Sequence, residues 1–153
     1  MSGIQKWAPQ TWNFFHTFAA KISDTFYQQN KEQCLQIIKL TCQSLPCPEC
    51  TKHAIQFMNT VNSKNVKNKE ELIEMLYTFH NIVNIRIGKP PVDRKVLQNY
   101  NFVRFDIVYL NFINGYQGRY GSIMSGRIST LGKRRSTAKA IEKWMRNQWK
   151  YFQ

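Results

Sequence analysis

Apolar residues in the first hundred positions recur at intervals of three and four, the period of helices that bury one face. Trp12, Phe15, His16, Ala19 and Ile22 make the first such stripe. Pro9 ahead of it suits the first turn of that helix, where its missing N–H would have no partner anyway. A second helix is predicted over about Lys31 to Ser44, with the stripe Cys34, Ile37, Ile38 and Thr41, ending at Leu45-Pro46. A third begins within Cys47-Pro48-Glu49-Cys50 and runs through His53, Phe57 and Met58. Residues 62–68 read as a polar loop. Asn68 and Glu71 then have the spacing of a capping box and open a long helix to about Ile87. Gly88 suits the left-handed residue that ends it, and Pro90-Pro91 prevents continuation. Asp93 caps a short further helix to about Tyr100. Four helices and a short fifth, joined by brief connections, predict an all-α chain built as a four-helix bundle.

The pattern changes after residue 100. Ile107 to Ile113 is apolar but much shorter than the ~20 residues that cross a bilayer. Gly118, Gly121, Gly126 and Gly132, with Gly115 just before them, mark residues 116–136 as a flexible linker. A last amphipathic helix, about Thr137 to Tyr151, places Ile141, Trp144, Met145 and Trp149 on one face, for docking on the bundle, a partner or a membrane surface. The chain therefore divides into a core over residues 1–100 and a basic, aromatic-rich extension over residues 101–153.

Charge sharpens that division. The 153 residues carry 22 Lys/Arg against 9 Asp/Glu, a net +13. The extension has Asp106 and Glu142 as its acids, against cations from Arg104 to Lys150. Such a tail attracts nucleic acid, an anionic membrane or an acidic partner, or simply keeps the protein soluble. The N-terminus lacks the apolar core of a secretory signal, which points to the cytoplasm.

Cys47-Pro48-Glu49-Cys50 is the first candidate for chemistry. Two cysteines at a helix start can reach disulfide geometry within one turn. The helix's free N–H groups and dipole favour a thiolate, the species that attacks disulfides. Glu49 works against this, since a neighbouring carboxylate opposes a thiolate. The structural alternative is a zinc site completed by Cys34, Cys42 or His53, but these form no second paired knuckle. Cys34 and Cys42 lie eight residues apart on one helix, ~12 Å, too far to bond to each other. They read as small buried side chains rather than a shuttle disulfide.

On the long helix, Ile73, Tyr77, His80, Asn84 and Ile87 share a face. Buried His80 and Asn84 need partners. They find them in backbone, in each other, or in a ligand with ring heteroatoms and phosphates, which Asn81 and Lys89 would also contact. Trp12 and His16 share a face of the first helix, which suits ordinary core packing or, for a ligand, a stacking plane and a polar contact; taken alone, the pair favours core packing.

The series Trp12-x-x-x-His16, Cys47-x-x-Cys50, His80-Asn81-x-Val83-Asn84 and Gly88-Lys89-Pro90 resembles the Erv/ALR family of FAD-linked sulfhydryl oxidases. The resemblance covers about residues 7–100 and is similar to the family's compact viral members, for which the compartment would be host cytoplasm or virion. It implies a helical bundle that encloses FAD, as a homodimer. It implies flavin contacts at Ala8, Trp12, His16, His80, Asn81, Val83, Asn84, Lys89 and Tyr100. Ala8 stands where the family commonly has glycine, and Tyr100 near a usual tryptophan. The implied reaction takes electrons from a protein dithiol, such as a thioredoxin-like protein, at Cys47, and passes them through Cys50 and FAD to dioxygen. No cysteine follows Cys50 in this sequence, so the expectation is that the substrate meets Cys47 directly, or that Cys34 and Cys42 serve in an unusual way, such as across a dimer. The competing readings are a thioredoxin-like exchanger, which needs alternating strands and helices, and a non-enzymatic basic binding module.

Overall fold

A computed structural model describes residues 3–118 and 131–153. Helices α1 (Gly3–Lys21), α2 (Asp24–Gln29), α3 (Lys31–Cys42), α4 (Pro48–Met58) and α5 (Lys69–Arg86) are followed by a 3-10 segment over Arg94–Asn101. Then come α6 (Phe105–Tyr116), α7 (Leu131–Gln148) and a 3-10 turn, Trp149–Tyr151. The described residues hold no β-strand, only an isolated bridge between Ile22 and Phe152. The all-helical expectation holds, and the fold basis for a thioredoxin-like exchanger falls away. None of the described helices is long and apolar enough to cross a membrane.

α1 starts earlier than expected and carries Pro9 in its interior. An interior proline costs a backbone hydrogen bond. Burial of Trp7 in the core, with the Thr11 hydroxyl donating to its carbonyl at 2.8 Å, holds the turn in place. The short α2 was not legible as periodicity. Ser23 caps it, its hydroxyl accepting from Phe26 N–H at 3.2 Å. On α5 the core face is Leu72, Met75, Leu76 and Phe79, one residue off the predicted stripe. Ile73, Tyr77 and His80 lie at its edge, and Ile87 is exposed past the helix end.

α5 keeps its predicted ends. Asn68 Oδ1 accepts from Glu71 N–H at 2.9 Å, and the Glu71 carboxylate accepts from Lys67 N–H at 3.1 Å. Gly88 has φ +75°, and the Gly88 and Lys89 N–H groups donate to Ile85 and Asn84 carbonyls at 3.2 and 2.8 Å. This is a complete Schellman ending.

Residues of the extension share the bundle's core. Phe105, Phe112, Ile113 and Tyr116 of α6 are buried, with Phe112 stacked on Phe14 of α1 at 4.1 Å. Ile141 and Met145 of α7 are buried, so its apolar face docks on the bundle. Trp149 stacks on Phe105 at 5.1 Å and Tyr151 on Phe26 at 4.2 Å. The Ser23 N–H donates to the Tyr151 carbonyl at 2.7 Å and ties the end of the chain to the α1–α2 junction. Residues 119–130 of the expected glycine-rich linker lie outside the described residues, while 131–136, expected as linker, form the first turns of α7, which starts before the expected Thr137.

Candidate active site

Cys47 is the N-cap of α4, with extended backbone (φ −152°, ψ 110°). Pro48 follows as the first helical residue, where it has no N–H to waste. The Thr51 hydroxyl clamps the preceding turn by accepting from Leu45 N–H at 2.9 Å. Cys47 and Cys50 form a disulfide with Cα atoms 5.2 Å apart, and Cys47 Sγ accepts from Cys50 N–H at 3.2 Å. The helix start thus presents its N–H groups and positive dipole end to the sulfur that would carry charge on reduction. The Glu49 carboxylate lies 3.5 Å from His53 Nε2, one turn along the helix.

Beside this disulfide lies a cavity of about 510 Å³, within the usual size of cofactor sites. α1 contributes Trp7, Ala8 and Trp12, α4 contributes Cys50, and α5 contributes Phe79, His80, Val83 and Asn84. Tyr100 closes one side, and Arg86 and Lys89 stand exposed at its rim. The walls are planar and apolar. Trp12 lies parallel to His80, with centroids 4.0 Å apart and 5° between planes. His16 stacks between His80 (5.1 Å) and Tyr100 (5.0 Å). Phe57 and Phe79, stacked at 4.7 Å, extend the aromatic wall to α4, and Phe79 meets Trp12 edge-on at 5.0 Å.

The polar groups of the site hold one another. His16 Nε2 and His80 Nδ1 are 2.8 Å apart and share one proton. Burial, then the charge of His80, lowers the His16 pKa to about 3. Burial, then Lys89, lowers that of His80 to about 4. Both rings are therefore neutral near pH 7 and act as hydrogen-bonding planes, not as cations. Asn84 Nδ2 donates to the Pro90 carbonyl at 3.1 Å. Asn81 Oδ1 accepts from Val92 N–H at 2.7 Å, and the Tyr77 hydroxyl donates to the Val92 carbonyl at 2.8 Å. The two asparagines thus set the loop that carries Lys89.

The cavity brings together Ala8, Trp12, His80, Val83, Asn84, Lys89 and Tyr100 with Cys50. His16 and Asn81 stand behind that wall, the first supporting His80 and the second the Lys89 loop. Cys47 is half-buried and is not part of the cavity wall. Sequence reasoning missed Phe79, Leu45 and Cys42 as lining. Phe79 offered a signal, being an aromatic next to His80. Cys42 offered none, since it read as a small buried side chain. Cys34 and Cys42 are buried free thiols. Burial pushes the Cys34 pKa up to about 12 and that of Cys42 higher still, so neither is a ready thiolate. Among the described residues no group of three or more His, Cys, Asp or Glu is placed to hold a metal.

These residues fit a flavin dinucleotide. Trp12 and His80, stacked on each other, form one aromatic wall against which a flat ring system can pack. The buried indole N–H of Trp7 has no hydrogen-bond partner among the described residues and is available to a ligand. Arg86 and Lys89 at the rim suit a diphosphate, and Cys50 brings a redox sulfur into the wall.

Comparison with known proteins agrees. The family model described as "Erv1 / Alr family" matches residues 9–103. An FAD-linked sulfhydryl oxidase of African swine fever virus (isolate Tick/Malawi/Lil 20-1/1983) is 35% identical over 83 residues, which cover 54% of this chain and 69% of the relative. A putative FAD-linked sulfhydryl oxidase of Invertebrate iridescent virus 3 is 30% identical over 102 residues, covering 65% and 68%. The FAD-linked sulfhydryl oxidase ERV1 of Arabidopsis thaliana is 30% identical over 79 residues, covering 52% and 41%. No solved structure matches the chain significantly.

Proposed function

This chain belongs to the Erv1/Alr family, and from that premise we propose the working of an FAD-linked sulfhydryl oxidase whose disulfide passes electrons inward through Cys50. The enzyme oxidises protein dithiols to disulfides. The chemistry that bound FAD would supply here is two-electron transfer from the reduced Cys47/Cys50 pair to dioxygen, giving hydrogen peroxide. One observation carries the order of events: Cys50 lines the cavity walled by Trp12 and His80, and Cys47 does not.

A substrate thiolate attacks Cys47 Sγ, forming a mixed disulfide and releasing Cys50 as a thiolate. The substrate's second thiol then attacks the substrate sulfur of that mixed disulfide. The substrate leaves oxidised, and both electrons remain on Cys47 and Cys50. The N-terminus of α4, where Cys50 N–H donates to Cys47 Sγ, stabilises Cys47 as it leaves as a thiolate in this second exchange. Trp12 and His80 would hold the flavin against the wall they form together. His16 fixes the orientation of His80, Asn84 and Asn81 hold the Lys89 loop, and Lys89 binds phosphate. Ala8, Val83 and Tyr100 give shape to the cavity.

On this reading the catalytic unit is residues 1–100, braced by α6 and α7 of the extension. A second copy of the chain is the natural occupant of the apolar surface left by Ile82 and Ile85 of α5, Phe102, and Ile107 and Leu110 of α6, all exposed. A thioredoxin-like protein is a suitable dithiol donor for a sulfur as accessible as Cys47.

Trapping tests the order. In a Cys50→Ser protein, Cys47 should hold a stable mixed disulfide with a dithiol substrate, visible by non-reducing mass analysis. In Cys47→Ser it should not form. Equal trapping on either cysteine would overturn the assignment.

A further inference from the structure

The outer face of α7 is a straight row of cations. Arg135, Lys139, Lys143 and Arg146 follow one another at helical spacings of four, four and three, and Lys150 continues the row on the closing 3-10 turn. All five are exposed. They lie opposite Ala138, Ile141 and Met145, which are buried against the bundle. Helical rise puts neighbours in the row about 5–6 Å apart and its ends roughly 20 Å apart. None of the five forms an ion pair among the described residues. Lys150 lies over the Tyr151 ring at 5.2 Å, which leaves its charge in place. Glu142 is the single acid of the helix.

We propose that this face binds duplex nucleic acid without regard to sequence, through its phosphate backbone. Over roughly 20 Å of duplex, about six phosphates of each strand pass, enough to give every cation in the row a partner. The row presents no aromatic ring on which unpaired bases would stack, as single-strand binding requires. The apolar face of α7 is already committed to the core, so the helix has nothing to insert into a membrane. A sequence pI of about 9.8 adds long-range attraction. The cavity and the disulfide use none of these side chains. This inference therefore stands apart from the oxidase reading, and binding and oxidation are separable.

Fluorescence anisotropy of the flavin-bound protein with labelled 20-base-pair duplexes tests it. Five contacts predict a slope of log K against log salt of about −4.5, or roughly a 500-fold loss of affinity from 50 to 200 mM salt. Two unrelated duplex sequences should bind alike. Lys139→Gln/Lys143→Gln/Arg146→Gln removes three contacts and should bring the slope to about −1.8. Lys139→Arg/Lys143→Arg should keep the original slope, and all variants should keep thiol oxidation. If the triple variant loses its flavin, each single Gln substitution should shift the slope by about 0.9. No binding at 50 mM salt, or an unchanged slope in the Gln variants, overturns the proposal. So does binding of phosphatidylserine vesicles or polyglutamate through the same residues without binding of duplex.

Discussion

Lowering the pH should loosen this protein through His16. The side chain is buried at 3% exposure and shares its Nε2 with His80 Nδ1 at 2.8 Å. Its folded pKa is about 3, against 6.5 in an unfolded chain. A base with a depressed folded pKa takes up a proton when the chain unfolds at any pH between the two values. Its contribution is therefore fully present above pH 6.5 and shrinks as pH falls towards 3. From pH 7 to pH 5 the unfolded state gains about 2 kcal/mol from His16 alone. For a chain of this size that lowers the melting temperature by about 4–8 °C. His80, half-buried beside it, pushes in the same direction. The assay is thermal unfolding at pH 7 and pH 5 of the native protein and of His16→Gln. That variant still offers His80 a hydrogen-bonding group but does not titrate in this range. Its melting temperature should fall less, by the His16 share. Parallel falls in the two proteins would refute the reasoning, because they would mean that His16 takes up a proton freely in the folded state.

Trp12→Ala removes the plane stacked on His80 and should weaken flavin binding by about tenfold, read from the ratio of visible to protein absorbance after gel filtration. Ile141→Ala should cost about 2–5 kcal/mol in denaturant unfolding, because Ile141 is fully buried between α7 and the bundle. The folded fraction of that variant should keep its flavin, since α7 does not line the cavity. Gly88→Ala meets no atom within 4 Å but forces a non-glycine residue to φ +75°, so it should cost about 1–2 kcal/mol by denaturant unfolding, and Gly88→Asn less.

What the sequence revealed and what it hid follow from how local each cause is. The ends of α5 were legible because Asn68, Glu71 and Gly88 act through bonds to residues a few positions away. The start of α4 was legible for the same reason, through Cys47 and Pro48. The wall residues on motif positions, such as Trp12 and His80, could be named through the family resemblance of their motifs. Their mutual arrangement could not, because the stacking of His16 between His80 and Tyr100 joins three distant segments. The early start of α1 was hidden because a proline argues locally for the first turn of a helix, while burial of Trp7 is decided by the whole core. α6 looked like an apolar stretch of uncertain form until its packing on Phe14 made it a helix of the core. Asn81 and Asn84 carry the same lesson. Their side chains face the loop at 90–92 rather than a ligand alone, and no periodicity distinguishes those roles.

The most direct test is oxygen consumption by the purified protein with dithiothreitol as the dithiol, recorded together with its visible spectrum. The account predicts a yellow protein that consumes dioxygen and forms hydrogen peroxide, and a Cys50→Ser variant that stays yellow but no longer turns over. A colourless protein that FAD cannot reconstitute, or a Cys50→Ser variant that turns over at full rate, would contradict it.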